Sequence, residues 1–336
     1  MEFQWHAHAG FLMRSLLRPG LPRQYTTADT QRTTLSYFCI TGLDILGRLD
    51  TCSEADTAAA KSWILAQQVT GGAWQRRGFR GGSFGIADMA SDTMEEANLP
   101  ATYSSLAALV SLGVDLAASV DGHAIVRALG SLQQEDGSFR SSVSDSTCDL
   151  RFTYCACAVS VLLNDWGGVN RTKTSAYIER CYDFDGGIGL APGREACAGP
   201  TYCAVASLEL MGVLDSIAEP RRRGLMEWCV NRQGDGFQGR PNKPEDTCCS
   251  FWVGATLALL GGFHLVDRAK ARDFHLCCQN QTCGGFAKAP GMPPDLLHSF
   301  YSLSWLSLAE ETGLEERMDA ALGVTKEAAG RVRKNV

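Results

Sequence analysis

The sequence predicts an all-α protein, an α/α barrel in which repeated helical hairpins close into an inner and an outer ring. Three observations predict it. Four turns of similar chemistry, QQEDGSF, DFDGGI, RQGDGF and QTCGGF, end at Phe139, Ile188, Phe237 and Phe286, at successive intervals of 49 residues. Equal intervals of this length mark a repeat architecture. Each turn leads into a Tyr- or Phe-led segment rich in Ala and Leu, apolar around its whole circumference, which reads as a helix covered on most sides. The stretch before a turn is instead one-sided: HAIVRALGSLQQ carries Ile125, Leu129 and Leu132 at helical spacing. Such a hairpin cannot bury its apolar face alone, so neighbours must stack. The inner helices need cover on several sides, which a closed ring supplies and an open solenoid does not.

Residues 1–336 read as one domain, with about 1–25 as an N-terminal lead-in. The opening MEFQWHAHAGFLMRSLLRPG lacks the uninterrupted apolar core of a signal peptide, so secretion is not expected. GGAWQRRGFRGGSF, from Trp74 to Phe84, reads as an earlier copy of the turn with an insertion. Inner helices are expected from Thr102, Thr153, Thr201, Ser250 and Ser299, and 325–336 as a polar tail. Lys and Arg total 31 against 37 Asp and Glu, a net charge of −6, which argues against a nucleic-acid-binding face. No apolar run reaches transmembrane length. The 14 cysteines do not fall into finger-like pairs. Several, such as Cys155, Cys157, Cys203 and Cys229, sit in apolar runs, as core thiols of a reducing, cytoplasmic compartment do.

Parallel inner helices point their positive dipole ends at one mouth, where an anion such as a phosphate group would be favoured. The loop GRPNKPEDTCCSFW brings Arg240, Lys243, Asp246, Cys248 and Cys249 to that mouth. One repeat later GMPPDLLHSFY brings His298, 49 residues after Cys249 and so in register with it. One carboxylate, one thiol and one imidazole make a three-ligand zinc set with a fourth position open, the pattern of a catalytic site. The same residues also admit a plainer reading as a helix-capping Asp, a buried Cys and a surface His. Lys288 and Arg194 add cations near the same mouth and fit a diphosphate.

The segments GRPNKPEDTCCSFWVGATLALLG, RFTYCACAVSVLLNDWGGV and GGFAKAPGMPPDLLHSF resemble the β subunit of protein prenyltransferases, with the type I geranylgeranyl enzyme as the nearest branch. The similarity runs over nearly the whole chain. It implies an α/α barrel paired with a separate α subunit in a heterodimer. It also implies one zinc held by Asp246, Cys248 and His298, with the substrate's CaaX cysteine in the open position. The implied reaction is transfer of a geranylgeranyl group from its diphosphate to that cysteine, in CaaL-ending proteins such as small GTPases. By the same resemblance Arg240 and Lys243 hold the diphosphate. Lys288 stands where the farnesyl enzyme carries an Asp for magnesium, so magnesium is not expected to be required. Thr34 replaces a bulky Trp of the farnesyl enzyme and leaves room for a 20-carbon chain, and Arg151, Tyr154 and Trp252 match residues lining the lipid and peptide cavity.

Two positions depart from the family. Cys197 stands where a diphosphate-binding His is expected, and Cys249 where the family carries Tyr. A thiol is a weak hydrogen-bond donor, so impaired diphosphate handling is expected unless residues such as Arg194 compensate. Cys197, Cys248, Cys249 and Cys203 gathered at the mouth would also allow a second metal or redox sensitivity. Competing readings are a non-catalytic homologue that keeps the lipid cavity, and a Rab-type geranylgeranyltransferase β subunit. A terpene cyclase shares the turn chemistry but needs a DxDD acid motif, which the sequence lacks.

Overall fold

A computed structural model describes residues 2–16, 23–83, 96–314 and 317–333. Phe84, the end of the first predicted turn, lies outside the described residues, as do parts of the predicted lead-in and tail. The described chain is helical throughout, with four two-residue strands paired as β-hairpin stubs. Six outer helices, α1 (Trp5–Leu16), α3 (Glu54–Leu65), α5 (Gly122–Leu132), α7 (Arg171–Arg180), α9 (Glu219–Val230) and α11 (Arg268–Cys278), alternate with six inner ones. The inner helices are α2 (Arg32–Ile45), α4 (Leu99–Ser111), α6 (Leu150–Leu162), α8 (Ala198–Leu210), α10 (Thr247–Leu259) and α12 (Leu296–Leu308). Each inner helix packs on the next, and α12 packs back on α2, so the ring is closed.

The inner helices are buried on nearly every side, as their composition requires: every residue of α4 but Pro100 is buried. The outer α5 buries Ile125, Leu129 and Leu132 and turns its polar face to water. The repeated turns recur as hydrogen-bonded bridges, Gln133 to Phe139, Tyr182 to Ile188, Gln233 to Phe237 and Gln279 to Phe286. The four residues ending these turns are fully buried plugs. Glycine is required in the first of these turns, because Gly137 has φ +93° and a Cβ there would lie 2.0 Å from the Lys173 carbonyl oxygen. Only glycine adopts that backbone region without strain.

The inner-helix N-termini are tied together at one end. An amide at the start of each donates to a carbonyl in the loop that leads into the following inner helix: Thr33 to Gly81, Leu99 to Ser141, Leu150 to Leu190, Ala198 to Gly239 and Thr247 to Lys288, at 2.8–3.1 Å. The last, Leu296 N–H, donates to the Tyr25 hydroxyl at 2.9 Å and returns the series to the N-terminal segment. These bonds satisfy amides that a helix start leaves without intrahelical partners, and they pull successive mouth loops side by side.

Both chain ends are more structured than their composition suggests. Within the lead-in, α1 packs on α2. His8 of α1 accepts from the Gly285 amide at Nδ1 (3.0 Å), reaches Gln279 Oε1 through Nε2 (3.2 Å) and stacks on Phe286 at 4.4 Å. The segment read as a polar tail contains α13 (Lys326–Arg333), which buries Ala328 and Ala329 against α4 and α6. Its charged residues hid an apolar face one helical turn wide. No helix among the described residues is long and apolar enough to cross a membrane.

Candidate functional site

Four of the six inner helices begin with an Asx residue at the N-cap, Asn98, Asp149, Asp246 and Asp295, while Gln31 and Cys197 hold that place in α2 and α8. Each of the four Asx side chains accepts from a first-turn amide, whereas Gln31 and Cys197 make no such bond. Asp246 caps α10 through the Cys248 amide at 2.9 Å, so the plainer reading of it as a helix cap is correct as far as it goes. The same Oδ1 lies 3.4 Å from His298 Nε2, and Oδ2 lies 3.5 Å from Lys288 Nζ. Asp295 caps α12 through the His298 amide (2.9 Å) and holds His298 Nδ1 at 2.6 Å. One ring nitrogen is thereby fixed by a carboxylate while the other faces Asp246.

The ligand atoms of Asp246, Cys248 and Cys249 lie within 4.8 Å of one another. Both cysteines are buried, on the first turn of α10. Burial pushes the Asp246 carboxyl up, but hydrogen bonds from His298 and Cys248 outweigh it and leave the carboxylate favoured. Burial pushes His298 down, and its bonds to Asp246 and Asp295 reverse this, raising it to about 9. Without a metal, His298 is therefore an imidazolium between two carboxylates. The Cys248 thiol is pushed up by its hydrogen bond with Cys249, by burial and by Asp246. A carboxylate, two thiols and an imidazole whose other nitrogen is held by a second carboxylate have the chemistry of a divalent-cation site. Oxygen, sulfur and nitrogen donors together fit zinc.

Beside this cluster the barrel holds an open cavity of about 850 Å³, within the range of about 300–1,000 Å³ usual for ligand pockets. Thr34, Arg151, Tyr154, Cys197, Cys203 and Trp252 all line it, as does Leu297 next to His298. Thr34 is hydrogen-bonded to Ser104 at 3.1 Å, and Arg151 is clamped on Asp149 at 2.7 and 3.1 Å. Trp252 meets Tyr301 edge-on at 5.1 Å. Of the predicted cations, Lys288 reaches the cluster, Arg240 is paired with Glu195, and Lys243 and Arg194 are exposed on the mouth loops.

Reading the sequence missed the wall of this cavity. Tyr37, Tyr103, Tyr154 and Tyr202 form a chain of hydroxyls at 3.0, 3.3 and 3.4 Å. Tyr37 also donates to the Gly323 carbonyl, and Tyr103 to that of Leu322 at 3.0 Å. Burial raises all four phenols, so they stay neutral. Phe251 and Phe300 continue the ring at equivalent positions. The signal was present in the aromatic that leads each inner helix, but only Tyr154 was read as lining. Asp295, the partner of His298, was also missed, although it sits three residues before it.

The prenyltransferase alpha-alpha toroid domain matches residues 3–324 of the chain. The chain belongs to the prenyltransferase β-subunit family. Among relatives of this family, the geranylgeranyl transferase type-1 subunit beta of Arabidopsis thaliana is 39% identical over 258 residues, covering 70% of this chain and 67% of that protein. The protein of the same name from Dictyostelium discoideum is 36% identical over 267 residues, 74% of each chain. Protein geranylgeranyltransferase-I of Candida albicans, solved with GGPP, superposes with a TM-score of 0.88 over 99% of both chains at 25% identity. The closed double ring is thus the fold of a prenyltransferase toroid, as the repeat predicted.

Proposed function

We propose that the chain is the zinc-bearing β subunit of a type I protein geranylgeranyltransferase, acting with an α subunit on proteins ending in CaaX, usually CaaL. The observation that carries this reading is the gathering of the Asp246, Cys248 and Cys249 ligand atoms, with His298 Nε2 3.4 Å from Asp246 Oδ1, beside an apolar cavity. Asp246, Cys248 and His298 would hold one zinc, which when bound favours the thiolate form of the substrate cysteine. Asp295 keeps the His298 ring oriented for that task. The aromatic ring of α2 to α12 packs the isoprenoid and excludes water from the reacting carbon. Thr34, with no bulk beyond its methyl, supports a 20-carbon rather than a 15-carbon chain. Arg151, Tyr154 and Trp252 are assigned to the lipid and peptide wall.

In the reaction the substrate sulfur bonds C1 of the isoprenoid while the C1–O bond breaks and its electron pair leaves on the diphosphate. The thiol proton passes to solvent. Lys288, Lys243 and Arg240 are assigned to the departing charge, which makes magnesium unnecessary and gives the mouth an electrostatic role. Arg240 would exchange its Glu195 partner for the diphosphate. Buried core thiols such as Cys155 and Cys157 suit a cytoplasmic setting. The test is transfer of labelled geranylgeranyl from its diphosphate to a CaaL peptide by the chain with an α subunit. Absence of product with folded, zinc-loaded protein removes the enzyme reading.

Cys197 and Cys249 favour a second reading, an enzyme slow in its chemical step or a homologue that only binds. Neither thiol replaces the family's donors to the diphosphate, and loss of one well-placed donor costs roughly 10²–10³ in rate. Replacing them by His and Tyr separates the two readings. A large gain in rate at unchanged lipid affinity identifies the slow enzyme, and no turnover in either form identifies the binder.

A further inference from the structure

We infer that Cys249 is itself a zinc ligand, so that this chain's metal site has two protein thiolates, Cys248 and Cys249, beside Asp246 and His298. The inference rests on the zinc-bearing reading above and goes beyond it, because that reading has three protein ligands and an open fourth position. Cys249 stands where the resemblance to the family calls for a tyrosine. A phenol at that place donates to an anion, whereas a thiol on a short side chain offers zinc a soft donor.

The geometry carries the assignment. The ligand atoms of Asp246, Cys248 and Cys249 already lie within 4.8 Å of one another. Tetrahedral zinc, with bonds of about 2.3 Å to sulfur and about 2.1 Å to oxygen, sets its ligand atoms roughly 3.6 Å apart. Closing that difference takes side-chain rotation on one helical turn. Cys248 and Cys249 are 5% and 6% exposed and share the first turn of a 13-residue helix. His298 Nε2 lies outside that three-residue group but only 3.4 Å from Asp246 Oδ1, and would be the fourth donor after a shift toward the sulfurs.

Two further features fit a second thiolate. With Asp246 and two thiolates the zinc site carries one net negative charge, and Lys288 Nζ lies 3.5 Å from Asp246 Oδ2 to offset it. Gly239 leaves the room that Cys249 uses: a Cβ there would lie 3.1 Å from Cys249 Sγ and 3.8 Å from Cys197 Sγ. Cys197 borders Cys249 on that side but is not in the donor group. With zinc bound, Cys249 would be the ligand that a substrate thiolate replaces, its sulfur taking up a proton from solvent so that the charge of the site is unchanged.

The test is zinc-edge X-ray absorption, with cobalt(II) substitution as a second readout, on the full chain with its α subunit. The wild-type protein is expected to hold one zinc with two sulfur neighbours at about 2.3 Å. Cys249→Ala and Cys249→Tyr are each expected to hold one zinc with one sulfur, with the thiolate-to-cobalt absorption halved, and Cys197→Ala to keep two. The two substitutions at 249 guard against a folding failure of either, checked by circular dichroism. Addition of a CaaX peptide leaves two sulfurs in the wild type and raises Cys249→Ala from one to two. A wild-type site with one sulfur, or a count that Cys249→Ala does not change, overturns the inference alone. A protein that binds no zinc overturns both it and the zinc-bearing reading.

Discussion

Acidification should loosen the chain through His8. The ring is buried, accepts the Gly285 amide at Nδ1 and meets Gln279 Oε1 at Nε2. Protonation would turn the Nδ1 acceptor into a donor facing another donor. Burial lowers the group from 6.5 to about 4, only partly opposed by the Gln279 hydrogen bond. A histidine held neutral in the native state binds fewer protons than in the unfolded chain between these two values, so stability rises with pH there. The contribution is full above about 6.5 and is lost as pH falls to about 4, amounting to about 3 kcal/mol at roughly 1.4 kcal/mol per unit. Urea unfolding of the full chain at several pH values between 7.5 and 4, beside His8→Gln, isolates it from other titrating groups. The wild type is expected to lose about 3 kcal/mol more than the variant across this window. Equal pH slopes for the two proteins would refute the argument. The loss bears on the site, because Gly285 and Phe286 open the segment that leads to α12 and His298.

Three other outcomes follow from the same geometry. Gly323→Ala puts a Cβ 2.4 Å from the Tyr103 hydroxyl at φ +74° and should cost about 1–3 kcal/mol in chemical denaturation; unchanged stability would show that the tyrosine ring is not closed by this turn. Thr34→Trp overfills the cavity beside Ser104, and roughly tenfold to a hundredfold weaker binding of the 20-carbon diphosphate is expected, with the 15-carbon one less affected; equal losses for both lipids would remove Thr34 from the length decision. Asp295→Asn keeps the α12 cap but discharges the group that holds His298 Nδ1, and zinc affinity in a chelator competition should fall about 10–100-fold; an unchanged affinity would leave Asp295 a cap alone.

The repeat was legible because each of its units must solve the same local problem. A buried plug such as Phe139 is demanded afresh every 49 residues, and a left-handed glycine such as Gly137 or Gly186 and a capping side chain such as Asp149 recur in most units, so each leaves a residue type in the sequence. Register between neighbouring units is also a local property, which is why Asp246 and His298, 3.4 Å apart, could be placed at one seam before any coordinates. Periodicity says nothing about contacts that join distant parts of the chain. The Tyr37 bond to Gly323 spans 286 residues and the His8 bond to Gly285 spans 277, and each depends on ring closure rather than on a neighbour. Rotamers were equally hidden, since Arg240 turns to Glu195 while Lys288 turns to Asp246.

By itself, then, the chain's amino-acid order determined the helical hairpins, their number of residues per unit and the seam where Asp246 and His298 meet, because short-range sterics and hydrogen bonding specify these. The tertiary structure alone decided how the first and last units lock, how the hydroxyl ring lines a cavity of about 850 Å³, and that Cys197 stays out of the group formed by Asp246, Cys248 and Cys249. Those outcomes follow from packing many side chains at once into a closed ring, where each orientation is selected by neighbours hundreds of residues away.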